Sequence, residues 1–135
     1  MERGYHYALD LLKLRILCDE VCDTKNKNAV YNALRRGRVD NTDILRIINI
    51  DKLKEHFRTI GDKRLEFIKQ MIDICNDREK FEEILSKNDD YNKLNIRRNL
   101  FELVNDLHEN HDCSESEIAR MTGLSKDTVK LIIYL

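Results

Sequence analysis

No proline interrupts this chain of 135 residues, and only four glycines do. Proline and glycine are the two residues that most effectively break a helix, one by removing an amide donor and the other by its backbone freedom. A chain with almost no breakers is free to run in helices, and its turns must be made by Asn, Asp, Ser and Thr. Apolar residues make up 41% and charged residues 36%, enough for one packed domain or for two small modules that lean on each other. The expected fold class is all-α, a multi-helix N-terminal region followed by two short C-terminal helices joined by a tight turn.

The apolar spacing supports that class along the whole chain. Leu11, Leu14 and Leu12, Ile16 recur at helical intervals, which predicts an amphipathic helix from Tyr7 to Val21. Ala29, Val30, Ala33 and Leu34 form a short stripe that Gly37 is placed to end, and Asn41 or Thr42 can cap the next helix. Ile44, Ile47, Ile48 and then Leu53, Phe57 fall on two short helices, with a break at Gly61 and Asp62. Beyond it, Leu65, Ile68, Ile72 and Phe67, Met71, Cys75 occupy neighbouring stripes of one helix, wide enough to be gripped on two sides. Residues 86 to 92, "SKNDDYN", interrupt every apolar period and mark the expected boundary, dividing the chain into 1–88 and 89–135. Leu100, Leu103, Val104 and Leu107 then lead into the closing element.

Several function classes find no support in the residues. Asp10, Lys13 and Arg15 break the apolar opening, so it is neither a signal-peptide core nor a membrane span, and a cytoplasmic location is expected. Cys18, Cys22, Cys75 and Cys113 then read as reduced thiols, with Cys18 and Cys22 one helical turn apart on one face. His108, His111 and Cys113 cluster in "HENHDC", but their spacing is not that of a zinc finger, and no metal or other cofactor is expected. No glycine-rich phosphate loop, nucleophile elbow or His-Glu-x-x-His pattern occurs, so the chain is not expected to be an enzyme.

The last stretch, "CSESEIARMTGLSKDTVKLIIYL", is organised differently. Ser114 followed by Glu117 is a capping-box pattern and predicts a helix whose inner face carries Ile118, Ala119 and Thr122. Gly123 comes where that helix must turn, Leu124 plugs the turn, and Ser125 can cap a second helix with Val129, Ile132 and Ile133 inward. A small residue at the crossing and a glycine at the bend are what two closely packed short helices require.

With "LFELVNDLHENHD" as a supporting helix, this stretch resembles the helix-turn-helix of LuxR-type regulators and of the fourth region of sigma factors. Glu117-Ile118-Ala119, Gly123-Leu124-Ser125 and Thr128-Val129-Lys130 agree with that pattern together, and the resemblance covers roughly the last third of the chain. It implies that Ser125, Lys126, Asp127, Thr128, Lys130, Leu131 and Tyr134 face double-stranded DNA from the second helix. The geometry of a helix agrees in part, since Lys126, Lys130 and Tyr134 stack at intervals of four on the side opposite Val129 and Ile132. Lysines there suit guanine edges or phosphates, Thr128 a phosphate, and Leu131 a thymine methyl group.

Charge works against a lone copy of this element. From Cys113 to Leu135 three basic residues meet three acidic ones, whereas affinity for a duplex comes largely from neutralised phosphates. A symmetric homodimer would double the contacts, and cations elsewhere in the chain would add to them. "KNKNAVYNALRRGRV" holds five basic residues and no acid, and Arg35, Arg36 and Arg38 are its candidates for gripping phosphate. With the residues after it, this segment faintly resembles a repressor-type helix-turn-helix around 18–50, lacking the small residue before the turn. The expected function is a sequence-specific DNA-binding transcription regulator, and the lysine, isoleucine and asparagine usage suits an AT-rich bacterial or phage genome. The rival expectation is a helical protein-interaction module, whose N-terminal helices bind another regulator or RNA polymerase and whose closing helices never touch DNA.

Overall fold

Every regular element among the described residues is helical, as the scarcity of breakers predicts. The computed structural model describes residues 4–135, and among these it contains ten α-helices and one 3-10 turn, with no strand. In order they are α1 (Tyr5–Val21), α2 (Lys27–Arg36), α3 (Thr42–Ile47), the 3-10 turn Ile50–Lys52, α4 (Leu53–His56), α5 (Asp62–Asn76), α6 (Arg78–Ser86), α7 (Asp89–Ile96), α8 (Asn99–Glu109), α9 (Glu115–Thr122) and α10 (Lys126–Ile133). The chain divides into two units. One is the middle segment Lys13–Leu85, and the other joins the described residues up to Leu12 with Ser86–Leu135.

The middle unit is built around the second part of α1, α2 and α5. Leu14, Leu17 and Cys18 of α1, Val30 and Leu34 of α2, and Ile68, Met71 and Ile72 of α5 share one buried cluster. The wide stripe on α5 is buried through Leu65, Ile68, Met71, Ile72 and Cys75, while Phe67 is packed at the edge. Polar atoms pin the start of α2: buried Asn26 donates its side-chain amide to Asp23 at 2.8 Å, and its own oxygen accepts Arg64 Nε from α5 at 3.0 Å. Asp23, which also accepts the Asn26 backbone amide and faces Lys63, is held below the ordinary carboxylate range, chiefly by the Asn26 side chain.

α2 ends at Gly37, as its position predicts, but the left-handed residue of the turn is Arg38, with φ 65°. Val39 donates its amide to Leu34 at 2.8 Å and Arg38 donates to Arg35 at 3.0 Å, the paired bonds of a Schellman cap with an arginine in the usual glycine place. Gly37 has φ −80° and is needed for a different reason, because a Cβ there would stand 2.6 Å from Phe57 Cε1. α3 departs from its predicted face. Capped by Asn41, whose side chain accepts the Ile44 amide at 2.8 Å, it buries Thr42 and Leu45 and leaves Ile47 81% exposed. Thr42 and Leu45 are one helical interval apart, and in so short a helix they fill the inner face alone.

The expected boundary at 86–92 contains the start of a helix. Asn88 accepts the Tyr91 amide at 2.8 Å, and Asp89 and Asp90 lie in the first turn of α7, so the polar run heads a helix just past the point where the two units divide, between Leu85 and Ser86. The start of α1 belongs with the C-terminal helices. Tyr5 donates its hydroxyl to the Leu94 carbonyl at 2.8 Å, meets Phe101 edge-on at 6.3 Å between ring centres, and carries the Arg98 guanidinium 4.8 Å above its ring. Among the described residues no helix is long and apolar enough to cross a membrane.

Candidate nucleic-acid interface

The closing element is made locally. Ser114 Oγ accepts the Glu117 amide at 3.1 Å while Glu117 Oε1 accepts the Ser114 amide at 2.9 Å, so two otherwise orphaned donors at the head of α9 are satisfied reciprocally. That bond from the Ser114 backbone holds the Glu117 carboxyl below its ordinary range. α9 stops at Gly123, which stands in the left-handed region with φ 77° and donates to the Ala119 carbonyl at 2.9 Å. Leu124, buried, plugs the bend, and Ser125 Oγ accepts the Thr128 amide at 3.3 Å to cap α10. Lys93 of α7 braces the bend from outside, its Nζ donating to the Gly123 carbonyl at 2.8 Å.

α8, α9 and α10 pack on one another in all three pairings. Val104 and Leu107 of α8, Ile118 of α9, and Val129 and Ile132 of α10 are buried in this unit, and half-buried Ala119 and Thr122 complete the inner face of α9. Ile133, expected inward, is only half-buried. Leu103, placed on the α8 stripe by its spacing, is 39% exposed, because Leu100, Val104 and Leu107 already fill that face.

The seven expected contact residues of α10 divide into three groups. Lys126, Asp127, Lys130 and Tyr134 are exposed, and Leu131 is half-buried beside them. Ser125 is exposed but its polar atoms are spent within the chain: its amide donates to Asp90 Oδ1 at 3.1 Å and its hydroxyl to Asp90 Oδ2. Thr128, expected to face outward to a phosphate, is buried, and its hydroxyl donates to Asp90 Oδ2 at 2.6 Å. The third position of a capped helix turns back toward the cap, and there the carboxylate from α7 draws Thr128 inward.

A second carboxylate lies over the far end of the same helix. Glu115 Oε2 accepts the Tyr134 hydroxyl at 2.8 Å, which pushes the pKa of the phenol above its ordinary value, and Glu115 Oε1 is 4.0 Å from Lys130 Nζ. Sequence reasoning missed both acids. Glu115 carries a weak signal, since it opens the helix that precedes α10. Asp90 carries none, being 35 positions from Ser125.

The other expected phosphate contacts, Arg35, Arg36 and Arg38, are exposed at the end of α2 in the middle unit. Arg35 lies with its guanidinium carbon 5.8 Å from the centre of the Tyr31 ring, so part of that side chain is already packed. A groove beside them, of about 250 Å³, is lined by Arg36, Gly37, His56, Phe57 and Arg58 among others, and His56 Nε2 meets the Gly37 carbonyl at 2.9 Å. The carbonyl ends of α2 and α4 both fall in this groove, so its cations compensate helix dipoles before they serve any ligand.

Among the described residues no three His, Cys, Asp or Glu side chains come together as metal ligands. His111 Nε2 lies 3.4 Å from Asp106 Oδ2 instead, and Cys113 Sγ contacts the His111 carbonyl at 3.8 Å. Comparison with known proteins gives no match to any family model, to any curated protein or to any solved structure.

Proposed function

We propose that this chain is a sequence-specific DNA-binding transcription regulator of bacterial or phage type that reads the major groove with α10. The observation that carries the reading is the left-handed Gly123 bend between two capped helices, which turns the outer face of α10, with Lys126, Asp127, Lys130 and Tyr134, away from the α8–α9 packing. A major groove roughly 12 Å wide admits one helix, and exposed polar side chains at the first and second outer turns are what base edges demand. In this reading α9 lies across the backbone and α10 enters the groove. Arg35, Arg36 and Arg38 add contacts to phosphate, and binding at a promoter blocks or recruits polymerase.

The near balance of acids and bases around α10 favours two copies acting together, because one copy neutralises few phosphates. The test is selection from random duplexes on the purified protein, repeated with Lys126→Glu/Lys130→Glu and with Arg35→Glu/Arg36→Glu. The reading expects one enriched motif that disappears in the lysine variant, and a uniform loss of affinity in the arginine variant. Failure of the folded wild-type protein to enrich any motif sinks it.

The rival, a helical module that docks on another regulator or on polymerase, is favoured by one observation. Ile44, Ile47 and Ile50 of the middle unit stand 37%, 81% and 39% exposed close together in the chain, which is unusual for large aliphatic side chains without a partner. Under that reading, reversal of Lys126 and Lys130 leaves partner binding intact.

A further inference from the structure

A helix N-terminus presents unpaired amides and a positive dipole end, and in groove-reading helices it is where backbone phosphates are held. In this chain several donors at the head of α10 are already taken. Three of them, the Ser125 amide, the Ser125 hydroxyl and the Thr128 hydroxyl, converge on the one carboxylate of Asp90. Four residues and then one further turn along, the exposed face meets a second carboxylate, where Glu115 takes the Tyr134 hydroxyl and stands opposite Lys130. A carboxylate offers two anionic oxygens to hydrogen-bond donors and is the nearest protein equivalent of a phosphate.

We infer that Asp90 and Glu115 stand where duplex phosphates would stand, so that the protein is held self-complexed and DNA must displace both acids to seat α10. The inference rests on the reading of α10 as the DNA-contacting helix and concerns the control of that same surface. It accounts for a feature which that reading leaves unexplained, that four of the seven expected contact residues, Ser125, Thr128, Lys130 and Tyr134, are engaged by acids of their own chain. Lys126 has no such partner and is the group free to meet DNA first. Seating then proceeds by exchange: phosphate oxygens replace the two carboxylates one at a time, and each replacement relieves the repulsion between an acid and the approaching backbone.

Asp90→Asn and Glu115→Gln test this, because each removes a charge and keeps an oxygen that accepts hydrogen bonds. Affinity is measured by fluorescence anisotropy on the selected duplex and on a scrambled one, over a range of salt. The expected result is about tenfold tighter binding for each substitution, like charges facing each other across a contact being costly. Glu115→Gln further steepens the plot of log affinity against log salt by about one, since Lys130 then enters the complex without an internal counterion.

Unchanged or weaker binding in both folded variants, with Lys126→Glu/Lys130→Glu still abolishing it, overturns the inference while the DNA reading stands. No binding by the wild type or by either neutralised variant overturns both. Thermal unfolding checks that Asp90→Asn retains α10. If it does not, Glu115→Gln decides the matter by affinity and salt slope alone.

Discussion

Val39 donates its backbone amide to the carbonyl of Leu34 at 2.8 Å, closing α2 across an arginine in the left-handed region. An L-residue with a long side chain is strained there by about 1–2 kcal/mol. Arg38→Gly should therefore raise stability by up to about 1 kcal/mol in urea unfolding, the gain being trimmed by the backbone freedom that glycine brings to the unfolded chain. Gly37→Ala should do the reverse, by about 1–3 kcal/mol, because its Cβ meets buried Phe57 Cε1 at 2.6 Å. Opposite signs at adjacent positions separate the residue that needs a left-handed backbone from the residue that needs space.

α9 depends on its reciprocal cap. Ser114→Ala removes one half of the box and should cost about 1 kcal/mol, read from the unfolding midpoint. Glu117 supplies the other half, and its folded ionisation is depressed, so its contribution is complete above the ordinary carboxylate range and fades as pH falls through the lower folded value. The Ser114 amide proton, followed by NMR, should therefore titrate with a midpoint below that of an unpaired glutamate. A midpoint at or above the ordinary value contradicts the bond seen at 2.9 Å.

Thiol chemistry should single out one cysteine of four. Cys18, Cys22 and Cys75 are buried, and burial pushes the Cys75 thiol up to about 12, whereas Cys113 is half-buried at the edge of α9. Cys18 is likewise pushed up, first by the hydrogen bond it shares with Cys22. A disulfide reagent at pH 8 should modify Cys113 quickly and the other three only after denaturant is added, as mass spectrometry of the labelled peptides would show. Rapid labelling of Cys75 in the folded protein would contradict the core described for α5.

The register of α3 is tested by a pair of neighbours. Leu45 is fully buried and Leu45→Ala should cost about 2–5 kcal/mol through the cavity it leaves. Ile47→Ser should stay within about 0.5 kcal/mol, its side chain being already in water. A large loss for Ile47→Ser would restore the face that its spacing suggested.

What could be read in the sequence, and what could not, follows the range of the forces involved. The Ser114–Glu117 box, the Asn41 cap and the Gly123 bend involve partners a few residues apart, and the sequence carries them in order. The α5 stripes were legible because fifteen residues of periodic pattern outweigh any local exception. α3 was not, since six residues hold too few periods to fix which isoleucine faces inward. The polar run at 86–92 marks where the two units divide along the chain, between Leu85 and Ser86, but that it also heads a helix was not legible, because Asn and Asp favour both loops and helix heads. For the candidate interface, the exposure of Lys126, Lys130 and Tyr134 follows from intervals of four. The capture of Ser125 and Thr128 by Asp90 follows from how α7 is brought against α10, which no local pattern encodes.

The terminal unit is assembled from both ends of the described chain, with all of Lys13–Leu85 between its pieces. A ribosome therefore delivers the middle unit entire before any residue of α7–α10 exists, and the cluster around Leu34 and Ile68 can close at once. Tyr5 must wait for Leu94 and Phe101 to be synthesised before its hydroxyl and ring are satisfied. Closing so long a loop is slow compared with forming the short-range contacts of α8–α10. The contacts that tie Tyr5 to Leu94 and Phe101 are thus the last of the terminal unit to form, after α8–α10 have already packed on one another.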